Sequence, residues 1–188
     1  MAAMTTTELS SRHIEVPTAG RYRINPEAST VTFTTRHLFG LAPVRGTFAL
    51  RDGVISVADP LTESGVWARV SAPSFRTGND TRDAAVLSPR LLNADAHPSF
   101  TFSSTALVEG PGHWLLRGEL EVRGAARPAE VRIGALAVAD DGATIRATAR
   151  VTIDRYAFGI TGYRGLAGRR LAVDLGIVAH RATASANA

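Results

Sequence analysis

A chain of 188 residues, 45% hydrophobic and 20% charged, is sized and composed like one globular domain, which excludes a disordered or fibrous polymer. It contains no cysteine, so disulfides, thiol nucleophiles and cysteine-ligated zinc are excluded. All 21 basic residues are arginine and the formal net charge is +4; without lysine there is no Walker phosphate loop of the usual kind and no lysine Schiff base.

Residues 1–19 are rich in Thr, Ser and Ala and lack the apolar run of a secretory signal, so they read as a flexible tail. No later stretch approaches the roughly 20 apolar residues of a membrane helix. A cytoplasmic protein with no transmembrane segment is expected. The arginines are dispersed instead of blocked, so nucleic acid is not an expected partner.

From Gly20 onward, period-two alternation dominates. In Ser29 to Arg36, Val31 and Phe33 share one face against Thr30, Thr32 and Thr34. Phe48 and Leu50 continue the pattern, and Arg51-Asp52-Gly53 is expected to turn a hairpin before Val54 to Val57. Val66, Ala68, Val70 and Ala72 then face away from Trp67, Arg69 and Ser71.

The alternation pauses from Thr77 to Pro98. There Asn79 or Asp80 can cap a short helix ending near Ser88, before Pro89. Val86, Leu87, Leu91 and Leu92 make this segment apolar enough to plug or cover one end of a sheet. Strands resume with Phe100 and Phe102, then with Leu116, Gly118, Leu120 and Val122 opposite Arg117, Glu119, Glu121 and Arg123. After a turn around Gly124 to Pro128, one face carries Val131, Ile133, Ala135 and Ala137. Asp140-Asp141-Gly142 marks a second hairpin; Ile145, Ala147, Ala149, Val151 and Ile153 follow, and a last strand carries Leu171, Val173, Leu175, Ile177 and Ala179.

About eight long antiparallel strands, each with one apolar face, must pack as a sandwich or close on themselves, and their length favours a barrel. The expected fold is all-β, an extended antiparallel barrel with one short helix near one end, spanning 20–181 between tails at 1–19 and 182–188. Ala68, Ala72, Gly118, Ala135, Ala137, Ala147 and Ala149 are small for inward positions. Either they leave an apolar cavity, or bulky partners such as Phe33, Phe48, Phe100 and Phe102 fill the space opposite them.

Several segments resemble the YceI-like family of lipocalin-like barrels. They are Gly20 to Phe48, with an Arg-His-x-x-Gly turn and a following Val-x-Gly-x-Phe; TGNDTRD at Thr77 to Asp83; Leu91-Leu92 with HPSFTFSS at His97 to Ser104; GELEVRGAARP at Gly118 to Pro128; and IDRYAFGI at Ile153 to Ile160. Ala28 and Ala85 stand where the family pattern often has histidine, and many members, unlike this chain, show an export signal. The resemblance implies a barrel with a helix near one end, often a homodimer, enclosing a tunnel for a polyisoprenoid or other long-chain lipid, with no enzymatic activity.

On that reading the tunnel wall comprises Phe33, Phe48, Val70, Phe75, Val86, Leu91, Phe100, Phe102, Leu120, Val131, Ala147, Val151 and Phe158, with Arg36, His37 and Arg82 at a lipid head group. Arg82 and Asp83 can instead cap and pair around the short helix. Glu119 and Glu121, flanked by Arg117 and Arg123, read as a solvated outer face and not an acid/base pair. The histidines, His13, His37, His97, His113 and His180, lack the short spacings of metal ligands, so no metal or cofactor is expected. There is no G-x-S-x-G elbow and no catalytic residue is assigned. Gly159, Gly162, Gly165 and Gly168 mark a long connection in which Tyr163, Arg164 and Leu166 could gate an entrance. Two other functions fit the pattern: a barrel enzyme with His37 as general base, and an interaction module with a filled core.

Overall fold

The computed structural model describes residues 15–37, 42–110 and 113–182. Its elements are β1 (Gly20–Ile24), β2 (Thr30–His37), β3 (Ala42–Val57), β4 (Gly65–Arg76), α1 (Asp80–Leu87), β5 (Ser99–Gly110), β6 (His113–Val122), β7 (Ala125–Val138), β8 (Thr144–Asp154) and β9 (Arg170–Arg181). Short 3-10 turns occupy Leu61–Glu63 and Arg155–Phe158.

All pairings are antiparallel, and β1 and β2 together act as one barrel strand. Both lie between β3 and β9, β1 opposite Val54–Val57 and β2 opposite Ala42–Phe48. The chain steps outward between them, where Asn25 Oδ1 accepts the backbone N–H groups of Glu27 and Ala28 at 3.0 and 3.2 Å. The other edge of β3 pairs with β4, so the sheet closes as an eight-stranded barrel with one short helix. The inward faces follow the period-two pattern: Val31, Phe33, Leu50, Leu116, Val122, Ile145 and Val173 are buried, and Trp67 is exposed.

Three local expectations are corrected. Arg51-Asp52-Gly53 does not turn a hairpin; β3 runs through it, and Arg51 is an extra residue in a bulge where Leu50 pairs with Val70 and Asp52 with Arg69. Gly53 suits the strand there because a Cβ would lie 2.7 Å from Ile24 Cδ1 and 2.9 Å from Trp67 O. In β7, Gly134 is a second bulge residue, between the Ile133–Ala149 and Ala135–Thr148 pairs. One inserted residue reverses the faces beyond it, so Leu136 points inward and Ala135 and Ala137 do not. Finally, the β6–β7 turn is only Arg123-Gly124, at φ 53° and 72°, and Pro128 lies within β7 opposite Glu119.

The Asp140-Asp141-Gly142 turn forms as expected, with Asp141 Oδ1 accepting from the Ala143 and Thr144 amides. Helix α1 starts at the Asn79 cap, whose side chain accepts from the Arg82 amide, and stops at Ser88. Residues 15–19, assigned above to the tail, are tied to the barrel. Glu15 N donates to Leu136 O, Glu15 Oε2 accepts from Val138 N, and Tyr22 donates its hydroxyl to Thr18 O. No helix among the described residues is long and apolar enough to cross a membrane.

Where strands approach closely, side-chain size is limiting. At Gly118 a Cβ would sit 2.4 Å from Ser103 O and 2.7 Å from Phe102 Cζ. Gly118→Ala is expected to lower the free energy of unfolding in a urea titration by about 1–3 kcal/mol through overpacking.

Candidate functional site

Closing eight strands sets an interior radius that small side chains do not fill. Ala68, Ala129, Ala147 and Ala149 line the resulting cavity, which is about 530 Å³ and almost wholly apolar. That volume lies in the range of small-molecule sites. Elsewhere, small residues meet bulky ones: Gly118 admits Phe102, and Gly46 admits Phe33, whose Cζ would lie 2.5 Å from a Cβ. Of the small residues expected to face inward, Ala68, Ala147 and Ala149 line the cavity and Gly118 gives room to Phe102, which lines it too, whereas Ala72, Ala135 and Ala137 do not line it.

The cavity follows the barrel axis. At one end Pro17 and Leu61 line it, where the segment around Pro17 and the first 3-10 turn cover the opening. At the other end lie α1, the coil after it, the second 3-10 turn and the glycine-rich loop at 159–169. Every apolar residue assigned above to the tunnel wall, from Phe33 to Phe158, lines this one cavity, and so do Arg36 and Arg82. The side chain of His37 lies outside what the structure describes. Ala85, where the family pattern often has histidine, is also a wall residue, so the wall is apolar there.

Phenylalanines concentrate at the helix end. Phe33 stacks on Phe75 at 5.2 Å between ring centroids, and Phe48 meets Phe75 and Phe100 edge-on at 5.3 and 5.5 Å. Beside them, Thr77 joins helix to strand. Asp83 accepts from Thr77 N and Thr77 Oγ1, while Arg82 Nε donates to Thr77 Oγ1 and Arg82 Nη2 to Thr77 O. Arg82 therefore serves the helix corner and the cavity wall at once.

One wall residue has no role in the sequence reading. Arg155 is buried, at 7% exposure. Its guanidinium donates to three backbone carbonyls: Nε to Gly168 at 2.8 Å, Nη1 to Ile160 at 2.6 Å and Nη2 to Ala167 at 2.9 Å. It thereby fastens both ends of the glycine-rich loop. Burial pushes its pKa down from the ordinary arginine value, against the opposing fields of Tyr156 and Asp154. Alternation could have located it, since Val151, Ile153 and Arg155 fall on one face. Its place within the quoted IDRYAFGI segment drew attention to the motif and not to the residue.

Other arginines hold the same end. Arg123 Nη1 donates to Leu91 O at 2.6 Å and Arg127 Nε to Ala157 O at 2.9 Å. Gly162 packs against the coil after α1, where a Cβ would lie 2.6 Å from Arg90 O. Tyr163 and Leu166 line the cavity from the loop, and Leu166 is also 49% exposed, so the apolar interior reaches the surface beside it. Arg164 points away, over the Tyr156 ring at 5.3 Å. Glu119 and Glu121 are exposed on the outer face, where Arg117 pairs with Glu130 at 2.9 Å and not with Glu119.

The YceI-like domain matches residues 22–179. This chain belongs to the YceI-like family. Solved relatives share the YceI-like fold at low identity. BcnA of Burkholderia cenocepacia is 19% identical over 85% of this chain and 99% of its own, with a TM-score of 0.70. A polyisoprenoid binding domain from Saccharophagus degradans implicated in plant cell wall breakdown is 15% identical over 86% and 98%, with a TM-score of 0.65. The YceI protein of Campylobacter jejuni is 21% identical over 76% and 88%, with a TM-score of 0.61. No curated protein matches the chain in sequence.

Two predictions concern this site. Arg155→Ala strands three carbonyls, so it is expected to lower stability by about 1–3 kcal/mol and to speed amide exchange selectively in 159–169. Arg155→Lys should recover little, because a flexible ammonium cannot span three carbonyls.

The second concerns pH. Burial pulls the Asp83 carboxyl up, but the Thr77 hydroxyl and amide, with Arg82 and Arg76 nearby, outweigh it and hold it below the usual range. Asp141 is lowered by the Thr144 hydroxyl and by the Ala143 and Thr144 amides, and Asp154 chiefly by its bond from Arg169. A carboxylate lowered on folding stabilises the fold above its unfolded pKa, and that contribution disappears as pH falls through the folded value. The melting temperature is therefore expected to hold steady down to about pH 5 and to fall below about pH 4. Asp83→Asn should lower it at neutral pH and flatten the acid decline.

Proposed function

We propose that this YceI-like protein binds and carries a single long-chain lipid, isoprenoid or fatty-acyl, in the barrel cavity. The observation that supports this most directly is the cavity itself: it is about 530 Å³, lined almost wholly by carbon from Pro17 and Leu61 at one end to the partly exposed Leu166 at the helix end. A module with a filled core would not have such an interior. The polyisoprenoid-binding description of the Saccharophagus relative favours the same ligand class.

The charged wall residues give the ligand a direction. Arg36, Arg82 and Arg155 all line the cavity at the helix end, and no carboxylate joins them among the described wall residues. The hydrocarbon lies along the axis toward Leu61 and Pro17, and the polar end faces Arg36 and Arg82. Among the described wall residues none pairs a nucleophile with a base, and a carrier accounts for those residues better than a hydrolase does.

Each buried CH₂ contributes about 0.8 kcal/mol, so affinity should rise steeply with chain length until the cavity is full. Displacement of a fluorescent probe by a C10 and a C20 isoprenoid alcohol is expected to show markedly tighter binding of the longer one. Ala147→Phe, which fills the barrel midway, should keep the fold and remove that difference. Equal affinity for both alcohols in the wild-type protein would overturn the carrier reading.

A further inference from the structure

The helix end of the barrel is strongly basic. Arg36, Arg90, Arg164, Arg169 and Arg170 are all exposed there. Arg169 is ion-paired, with Asp154 at 2.6 Å. Arg90 and Arg164 instead lie over the Tyr163 and Tyr156 rings, at 4.5 and 5.3 Å, which orients their guanidinium groups without neutralising them. The turns at the opposite end carry Asp59, Glu63, Glu109, Asp140 and Asp141, all exposed. Arginine is present at that end too: Arg21 and Arg23 are exposed, and Arg181 donates to Ala19 O and lies over the Tyr22 ring. Asp80 and Asp95 are exposed at the helix end, where the arginines outnumber them, so that end is the more basic of the two.

Within the basic ring sits Leu166, one of the few large apolar side chains left exposed, at 49%, and a wall residue of the cavity. An apolar tip surrounded by cations, continuous with an apolar interior, matches the layering of an anionic lipid surface, with phosphates outside and acyl chains beneath. Arginine stems are themselves apolar and can lie along such a boundary while their heads meet phosphate. A nucleic-acid backbone would meet the arginines but has no use for Leu166 or for the cavity behind it.

The geometry points to the arginine-ringed helix end as a docking face for an anionic lipid surface, with Leu166 entering the interface and the cavity mouth set against the bilayer. This rests on the lipid-carrying reading for its purpose, and the two are separable by measurement. The carboxylates of the far-end turns reinforce the orientation, because they are repelled by the same surface.

Sedimentation of the full chain with phosphatidylglycerol–phosphatidylcholine vesicles, compared with pure phosphatidylcholine vesicles, tests it. Binding is expected only to the anionic vesicles and should weaken as salt rises. Arg164 and Arg170 form none of the clasps that hold the loop, so R164E/R170E should fold and lose vesicle affinity on the order of 20-fold. L166D should lose it as well, whereas R21E/R23E, the same charge change at the far end, should retain it. Absence of binding to anionic vesicles at low salt would overturn the docking face. So would equal binding to both vesicle types, or a loss in R21E/R23E as large as in R164E/R170E. Vesicle binding without any isoprenoid binding in solution would keep the docking face and remove the carrier reading. Chain-length-dependent isoprenoid binding without vesicle binding would do the reverse.

Discussion

The hydrogen bonds along β3, to β1 and β2 on one edge and to β4 on the other, join the first strands of the chain to the middle of the sheet, and the interior is shaped by that closure. An open sheet of the same strands could flex until its apolar faces met. A closed ring of eight cannot, since strand number and stagger fix its radius. Residues at each level then decide whether the space is filled. Phe102 reaches over Gly118, and Ala147 and Ala149 of β8 leave space beside it.

A closed barrel still needs ends, and at one of them this chain adds arginine bonds to backbone carbonyls to the packing of its plug residues. Arg155, Arg123 and Arg127 each reach from a strand end or turn to a loop carbonyl, and Arg82 does the same from the helix. A planar guanidinium with several donors can hold carbonyls belonging to different segments of chain, which an ammonium cannot do as well. The loop pieces tied in this way also bury apolar side chains of their own, Leu91, Leu92, Phe158 and Ile160, in the main core. In a chain without lysine, the same residue type fastens the plug, lines the mouth and gives the helix end its charge.

Much of this was legible before any coordinates. Alternation identified the strands and the wall residues, because a period of two leaves little choice about which side chain faces inward, and Asn79 with Pro89 bounded the helix. Two of the errors share one cause. Arg51 and Gly134 are bulges, and a bulge is decided by how two strands fit, so an Asp-Gly pair inside a long strand looks the same as one at its end. Past Gly134 the alternation was followed on the wrong face, which hid Leu136. Arg155 was passed over for a different reason: an inward arginine is acceptable only when carbonyls converge on it, and those of Ile160, Ala167 and Gly168 come from a loop with no periodic signal. The segment around Pro17 was missed similarly, since its bonds are made to β7, far along the chain.

The two limits of the folded body lie together. Arg181 donates to Ala19 O, and the Ala182 amide donates to Arg21 O, so the chain enters and leaves the barrel at the end remote from α1. A tether, reporter or fused domain joined directly at residue 182 would therefore leave the barrel on the side away from the mouth. The same proximity makes the barrel suited to circular permutation, with residues 15–19 kept in the joined segment and new termini opened elsewhere.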